Sequence, residues 1–300
     1  MVVLVPHPLA VYMRKPDWLK IRIGGGDVYA GVSRTLEERG LHTICSSGRC
    51  PNQGECWAAG TATFLLLGNI CTRSCRFCAT PTGHPLLPDA AEPEKIAQSV
   101  KILQLKHVVL TSVDRDDLPD GGAAHWVRVV EAIRAAMPKT SVEVLLPDFM
   151  GKEGALARVL ASRPDIVAHN IETIERITPH VRSRAAYRYS LEVLRQIADA
   201  GAVCKSGIML GLGETLAEVE QTMVDLRGVG CAVLTIGQYL QPRRTHIPVE
   251  RYVTPEEFDR LGVRARELGF RYVESGPLVR SSFHAEKALA ACGISTTRSE

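Results

Sequence analysis

Short apolar runs alternate with amphipathic helical patterns along the chain from about residue 61 onward. An apolar run of four to eight residues that is bounded by turn or helix signals is typical of a buried strand. Six such runs predict strands at 62–67, 107–111, 142–146, 166–169, 206–210 and 233–237. Buried strands that are separated by helices favour a parallel sheet with crossover helices.

Helical patterns fill the intervals between these strands. We expect helices at 93–104, 123–137, 152–162 and 191–200, with Ser190 as the N-cap of the last one. Thr215 and Glu218 form a capping-box pattern before another helix, and Thr254 and Glu257 form a second such pattern. Six strand–helix units are fewer than the eight that close a full TIM barrel. We therefore predict the α/β class and a partial, open (β/α)6 TIM-like barrel, with one further strand at 271–274.

The first 60 residues lack this periodicity and contain three consecutive glycines and several prolines. The chain is therefore divided into an irregular N-terminal extension at 1–60, a barrel at 61–250, and a C-terminal helix and tail at 251–300.

The composition is that of an ordinary globular protein, with 300 residues of which 45% are hydrophobic and 23% charged. A net charge of +3 is too small to indicate nucleic acid or a membrane as a partner, and we expect neither. No apolar run approaches the ~20 residues of a membrane-spanning helix. The N-terminus lacks the charged front and the cleavage site of a secretory signal, so we expect a cytoplasmic protein.

Cysteine is the residue type that changes this picture most. Six of the nine cysteines lie between Cys45 and Cys78, and in a cytoplasmic chain such clustering indicates metal binding or redox chemistry. Cys71, Cys75 and Cys78, which we call the downstream triad, directly follow the first predicted strand with the spacing C-x3-C-x2-C. Three thiolates without a fourth can hold a [4Fe–4S] cluster and leave one iron open to an exogenous ligand.

A second set of three cysteines precedes the barrel. Cys45, Cys50 and Cys56, which we call the upstream triad, have the spacing C-x4-C-x5-C and also suit a cluster. Spacing alone leaves open a zinc loop or reactive thiols at the upstream triad, and zinc with a remote ligand such as His84 at the downstream triad.

The downstream triad resembles the cluster motif of the radical S-adenosylmethionine (SAM) superfamily, in which an aromatic residue such as Phe77 commonly precedes the third cysteine. The two triads together closely resemble the lipoyl synthase family. Matching segments at 113–122, 170–173, 205–214, 238–242 and 280–284 extend the resemblance over nearly the whole chain. The chain departs from the family's usual Arg-Ser-Ser-Tyr tail motif in one place, where Phe283 replaces the tyrosine.

This resemblance implies two [4Fe–4S] clusters and SAM as cofactors. The cluster of the downstream triad would be the catalytic one, which binds SAM and cleaves it to a 5′-deoxyadenosyl radical. The upstream triad would hold an auxiliary cluster, with a serine of the tail motif as the remaining ligand, and we assign that role to Ser282 rather than Ser281. Phe77, Asn170 and Glu172 are the expected cofactor-binding residues. Asn170 and Glu172, at the end of the fourth strand, are expected to hydrogen-bond SAM, with helix capping as the alternative.

The implied reaction inserts two sulfur atoms at C6 and C8 of an octanoyl chain carried on a lysine, and the auxiliary cluster is the sulfur donor. The implied partners are octanoylated lipoyl carrier domains, namely 2-oxoacid dehydrogenase E2 subunits and the glycine cleavage H protein, and a low-potential electron donor. Two other functions stay open: another radical SAM enzyme whose auxiliary cluster transfers electrons, or a non-catalytic iron–sulfur or zinc-binding protein.

Overall fold

The computed structural model describes residues 14–20, 32–34, 36, 38–47, 50–58 and 60–294. Parts of the predicted extension at 1–60 and the end of the tail therefore lie outside the described residues. One eight-stranded sheet with strands in sequential order forms the centre of the fold, and it does not close on itself. Its strands are β1 (His42–Thr43), β2 (Thr61–Leu66), β3 (His107–Ser112), β4 (Ser141–Leu145), β5 (Ile166–Ala168), β6 (Val203–Leu210), β7 (Val233–Gln238) and β8 (Tyr272–Gly276).

The helices lie between the strands and around them. A short 3-10 helix spans Asp17–Leu19, and the α-helices are α1 (Ile44–Ser47), α2 (Gln53–Ala58), α3 (Glu92–Ile102), α4 (Ala123–Ala136), α5 (Ala155–Ala161), α6 (Thr178–Val181), α7 (Tyr187–Asp199), α8 (Leu216–Gly228), α9 (Pro255–Glu267) and α10 (Ala285–Ala291). Among the described residues, no helix is long and apolar enough to cross a membrane.

The strands β2 to β8 pair in parallel, each with the next, whereas β1 pairs antiparallel with β2. Crossover helices cover the outside of these strands, so β2, β5 and β7 are buried at every position. Because parallel strands end at one edge, the loops after β2 to β7 meet there, where barrel active sites are built.

The partial barrel and its six predicted strands are confirmed, and β8 confirms the further strand. Both capping boxes are present, at Thr215 with Glu218 and at Thr254 with Glu257. The prediction of Ser190 as an N-cap was wrong, because α7 begins at Tyr187 and Ser190 lies buried inside it. There its hydroxyl lies 3.0 Å from His169 Nε2 and accepts a hydrogen bond from Arg182.

The strand predicted at 206–210 begins three residues earlier, at Val203. Lys205 lies in this added part, and its charge is tolerated inside the barrel because Glu143 on β4 pairs with it. The first barrel strand ends at Leu66, since Leu67 turns away with a left-handed φ of 67°. Glu92 accepts a hydrogen bond from the Leu67 amide, which fixes this turn ahead of the downstream triad.

Candidate active-site cavity

A cavity of about 580 Å³ lies at the carboxyl ends of the barrel strands. It brings together segments that are far apart in the chain, including both triads and the tail motif. Of the sequence-predicted site residues, those that line it are Cys45, Cys50, Cys71, Cys75, Phe77, Cys78, Asn170, Glu172 and Ser282. Cys56 is not among the lining residues, but it lies close enough to Cys45 and Cys50 for their charges to raise its pKa. His84 does not line the cavity.

The loop of the downstream triad is fixed by hydrogen bonds to its own return segment and to its neighbours. The Cys71 amide donates to the Pro81 carbonyl at 2.8 Å, and the Arg76 amide donates to the Val181 carbonyl at 2.8 Å. The Cys71 sulfur accepts from the amides of Arg73 and Asp114 at 3.4 and 3.3 Å. The position of this sulfur is therefore determined by the backbone of two loops.

Arg73, between the first two cysteines of the loop, is an anchor that sequence reasoning missed. Its side chain is only 3% exposed and forms a bidentate pair with Asp116 at 2.8 and 2.9 Å. Asp148, which follows β4, takes a second bidentate pair at 2.7 and 2.8 Å, and Asp114 lies 3.4 Å away. The acidic segment after β3 thus orders the cluster loop. Bidentate guanidinium pairs fix orientation as well as distance.

Cys71 and Cys75 of the downstream triad are partly buried. Burial is the main cause that raises the pKa of Cys71 to about 11 and of Cys75 to about 12. Arg182 opposes this rise at Cys75, since its positive charge favours the thiolate. These thiols are protonated at neutral pH, so metal binding has to displace their protons.

The upstream triad has the same electrostatic character. Burial, followed by the charge of Cys50, raises the pKa of Cys45 to about 11, and burial is also the main cause that raises the pKa of Cys56 to about 12. Arg280 of the tail motif lies near Cys50 and lowers the pKa that burial raises there. A guanidinium therefore lies beside each triad, Arg182 at one and Arg280 at the other, and positive charge compensates an anionic group held by thiolates.

The tail reaches the upstream triad because two close contacts permit it. A Cβ on Gly237 of β7 would lie 2.2 Å from the Val279 carbonyl oxygen, so only glycine lets the tail cross the strand there. The Asn52 side chain, two residues after Cys50, donates to the Leu278 carbonyl at 2.7 Å. His284 lies 3.3 Å from Glu55, the neighbour of Cys56, so the tail is joined to the extension at two points.

The loop after β5 faces the same space. Asn170 donates through Nδ2 to the Ser281 hydroxyl at 3.0 Å, while its Oδ1 is buried and has no partner in the described part of the chain. Glu172 has a left-handed φ of 68°, and its backbone is held by bonds to Gly207 and Met209 of β6. Burial raises the pKa of the Glu172 carboxyl and Arg182 opposes the rise. Strained backbone that its surroundings hold in place is common at functional sites.

The donor set and its surroundings fit a [4Fe–4S] cluster together with a polar organic ligand. The described residues contain no group of three or more His, Cys, Asp or Glu that could hold a single metal ion. A cubane cluster has a different requirement, since it bonds each thiolate to a different iron. The unpartnered Asn170 oxygen offers an acceptor to a ligand in the cavity.

Comparisons with known proteins identify the family of this chain. The Radical SAM superfamily profile matches residues 65–226. The chain is 58% identical to the lipoyl synthase of Treponema denticola, over 91% of this chain and 94% of that protein. It is 57% identical to a lipoyl synthase of Bacteroides fragilis, over 92% of this chain and 96% of that protein.

Solved structures agree on the fold. The [FeFe]-hydrogenase maturase HydG from Carboxydothermus hydrogenoformans superposes with a TM-score of 0.55 at 12% identity, over 89% of this chain and 83% of that one. Coproporphyrinogen III oxidase from Escherichia coli, a radical SAM enzyme, superposes with a TM-score of 0.51 at 10% identity, over 70% and 53% of the two chains. The superfamily implies one [4Fe–4S] cluster and SAM. With these relatives and this barrel, the chain belongs to the lipoyl synthase family of radical SAM sulfurtransferases.

Proposed function

We propose that this protein inserts two sulfur atoms at C6 and C8 of an octanoyl chain carried on a lysine of a lipoyl carrier domain. The observation that carries the proposal is that the downstream triad, two cysteines of the upstream triad and the tail motif all line one cavity. Radical formation and sulfur transfer must occur close together, because a carbon radical has to be captured before it reacts elsewhere.

The downstream triad holds the catalytic cluster in this proposal, and the upstream triad with Ser282 holds the auxiliary one. When bound, the catalytic cluster supplies the electron that cleaves SAM to a hydrogen-abstracting radical, and the auxiliary cluster supplies the sulfur. Arg73 keeps the downstream loop in place through its pairs with Asp116 and Asp148. Phe77 contributes an apolar side chain to the wall beside the cysteines.

Three residues are assigned to SAM. Asn170 offers its unpartnered Oδ1 to a hydroxyl or amino donor of SAM. Glu172 accepts a hydrogen bond or balances the SAM amino group, and its fixed backbone holds the carboxylate in place. Arg182, which sequence reasoning did not single out, lies near Cys75 and Glu172. Its guanidinium suits the carboxylate group of SAM.

Ser282 is the better of the two serines as a ligand of the auxiliary cluster. Both serines line the cavity, but the Ser281 hydroxyl already accepts the hydrogen bond from Asn170. An alkoxide is a harder ligand than a thiolate and is displaced more easily from iron. That property suits a cluster that is dismantled when its sulfur is used.

The carrier domains and the low-potential electron donor are further parts of this proposal, and the cytoplasmic location stays a prediction. So does the division into an extension at 1–60, a barrel at 61–250 and a closing segment at 251–300. The partial burial of both sets of cysteines supports a site with limited access of water.

Iron counting with two matched variants tests the proposal. After anaerobic reconstitution we expect about eight irons in the wild type and about four in either Cys45→Ala or Cys75→Ala. The Cys45→Ala variant should still cleave SAM with dithionite and insert no sulfur into an octanoyl-lysyl peptide, whereas Cys75→Ala should cleave no SAM. Lipoyl product from Cys45→Ala would contradict the sulfur-donor role, and two zinc ions with no SAM cleavage in the wild type would contradict the whole proposal.

A further inference from the structure

A buried ion pair lies inside the barrel, at the closed end of the cavity. The Lys205 Nζ on β6 lies 2.7 Å from the Glu143 Oε1 on β4, and the two side chains are 2% and 1% exposed. Lys205 lies two residues before Gly207, which lines the cavity, so alternation along the strand turns it inward as well. Glu143 itself lines the cavity. The cavity therefore ends on a charged floor.

This floor has unused hydrogen-bonding capacity. Within the described chain, the second carboxylate oxygen of Glu143 and the Nε2 of His107 are buried without a hydrogen-bond partner. They lie 3.8 Å apart, while the His107 Nδ1 is 2.8 Å from the Ser141 hydroxyl. Burial by itself would raise the pKa of Glu143, but Lys205 and His107 outweigh it and the pKa is lowered, so the floor carries a carboxylate.

The walls at and just above the floor are mainly apolar. Val109 lies at the level of the floor, and Leu65 and Leu145 lie two residues further along their strands. Thr111 lies at that upper level too, but its hydroxyl donates to the Leu145 carbonyl. An alkyl chain can pack against such walls. Contact between the end of that chain and the carboxylate of the floor is unfavourable, because the carboxylate would lose its hydrogen-bond partners.

The depth of the floor matches the length of an eight-carbon chain. Register places Thr63, Val109 and Glu143 at one level. Thr63 lies three residues before the end of β2 at Leu66, so the floor is ~10 Å below that strand end. An extended residue spans three backbone bonds and about 3.5 Å, so each bond of an extended chain adds ~1.2 Å. An extended chain of eight carbons is therefore ~9 Å long.

We propose that the Glu143–Lys205 pair acts as a ruler that sets how deep the acyl chain enters and so selects eight carbons. This inference rests on the proposed function, in which the chain is attached to a carrier domain. The carrier is too large to enter the cavity, so its lysine side chain spans the loops that line the cavity beyond the strand ends. The amide then lies near the strand ends, and the methyl end is deepest. Glu143 and Lys205 are therefore specificity-determining residues, and they place C6 and C8 at a fixed height relative to the cysteines.

The physical reason is the hydrogen bonding of the free carboxylate oxygen. Water can satisfy this oxygen while an octanoyl chain ends just above it. A decanoyl chain would displace that water and leave a buried carboxylate oxygen against a methyl group, which offers no hydrogen bond. Sites with buried polar groups reject ligands that leave those groups unpaired.

Two double variants test the ruler in the cluster-loaded enzyme. Glu143→Leu with Lys205→Met makes the floor apolar and leaves no unpaired charge. Glu143→Gln with Lys205→Met removes the charges as well but keeps a polar group that needs a hydrogen bond. Equilibrium binding of octanoyl-lysyl and decanoyl-lysyl peptides, measured by fluorescence anisotropy, gives the ratio of the two dissociation constants for each protein.

We expect the wild type to bind the decanoyl peptide ~10-fold more weakly than the octanoyl peptide, because a buried oxygen loses its partner. The Leu/Met variant should reverse this preference by up to ~10-fold, since two extra methylenes then add apolar contact. The Gln/Met variant should stay within ~3-fold of the wild-type ratio. Regained decanoyl binding in the Leu/Met variant alone supports the ruler.

Tighter binding of the decanoyl peptide by the wild type would overturn the ruler, and that result needs no variant to fold. An unchanged ratio in the Leu/Met variant would overturn it too. The proposed function is judged separately by sulfur insertion into the octanoyl peptide. If the wild type binds that peptide but forms no lipoyl product, the proposed function fails while the binding ratios still decide the ruler.

Discussion

The side chain of Asn170 donates a hydrogen bond to the Ser281 hydroxyl at 3.0 Å, across 111 residues of sequence. Asn170 follows β5, on the side of the cavity assigned to SAM, whereas Ser281 belongs to the tail that reaches the upstream triad. This hydrogen bond therefore connects the two halves of the proposed site. It also supports different roles for the neighbouring serines, because Ser281 is engaged with Asn170 and Ser282 is the proposed ligand of the auxiliary cluster.

Replacing each serine by cysteine distinguishes these roles. Ser282→Cys introduces a thiolate that binds iron more firmly than an alkoxide, so SAM cleavage should continue while lipoyl product falls ~10-fold or more. The matched control Ser281→Cys should keep product within ~3-fold of the wild type. Single-turnover assays by mass spectrometry measure both. A larger loss of product in Ser281→Cys would reverse the assignment.

Removing the Arg73 anchor should destabilise the cluster loop. Arg73→Gln leaves Asp148 buried without its cation, and loss of one partner of such a pair costs about 3 kcal/mol or more. We expect this loss in the free energy of unfolding from urea titration of the metal-free protein. The control is Arg184→Gln, which removes an exposed arginine from the same Asp116 and should cost ~1 kcal/mol or less. An equal loss of unfolding free energy in the two variants would contradict the larger contribution expected from the buried pairs of Arg73.

The close crossing of the tail over β7 can be tested at Gly237. Gly237→Ala places a methyl group into the Val279 carbonyl and should lift the tail, which exposes the half-buried Arg280 to trypsin. The control Gly228→Ala adds a methyl group where no atom lies within 4 Å and should leave cleavage after Arg280 unchanged. Limited proteolysis followed by mass spectrometry measures the rate. Unchanged cleavage in Gly237→Ala would mean that the tail does not depend on this contact.

Acid should destabilise the barrel through His169. Burial, with a contribution from Arg182, lowers the pKa of His169 to about 4, and its ring nitrogens contact the Leu146 carbonyl and the Ser190 hydroxyl. The unfolded state therefore binds the proton more strongly than the folded state. The stability from the neutral ring is complete above the ordinary pKa of about 6.5 and is lost as the pH falls towards 4.

This linkage predicts that His169 alone accounts for a loss of about 2 kcal/mol between pH 8 and pH 5. Urea titrations of the metal-free wild type and of His169→Asn at both values measure it. Asparagine can still donate to the Leu146 carbonyl but does not titrate, so the variant should show the smaller pH dependence. Equal pH dependence in the two proteins would contradict a neutral buried His169.

The strands and the downstream triad could be predicted because their signals are local. β2 is a continuous apolar run, and Cys71 follows it within five residues, so the end of the barrel at which the triad lies follows from the topology. The role proposed for the tail serine comes only from family resemblance, since nothing in residues 280–284 by itself indicates a contact with a segment more than 200 residues away.

Buried charges could not be predicted, because their burial depends on partners that are distant in sequence. Arg73 pairs with Asp148 across 75 residues, and Lys205 pairs with Glu143 across 62 residues. In the sequence each is an ordinary polar residue of the kind usually found at the surface. Ser190 was misassigned for a related reason: an N-cap pattern is local, whereas its actual partners, His169 and Arg182, come from elements that fold against α7.

The fate of sulfide tests the central claim most directly. The clusters are rebuilt with isotopically labelled sulfide, and excess sulfide is removed. A single turnover is then run on an octanoyl-lysyl peptide, and neither free cysteine nor free sulfide is present. We predict that both sulfur atoms of the lipoyl product carry the label in the wild type and that Cys45→Ala forms no labelled product while still cleaving SAM. Unlabelled sulfur in the product, or labelled product from Cys45→Ala, would contradict the assignment of the upstream triad as the sulfur source.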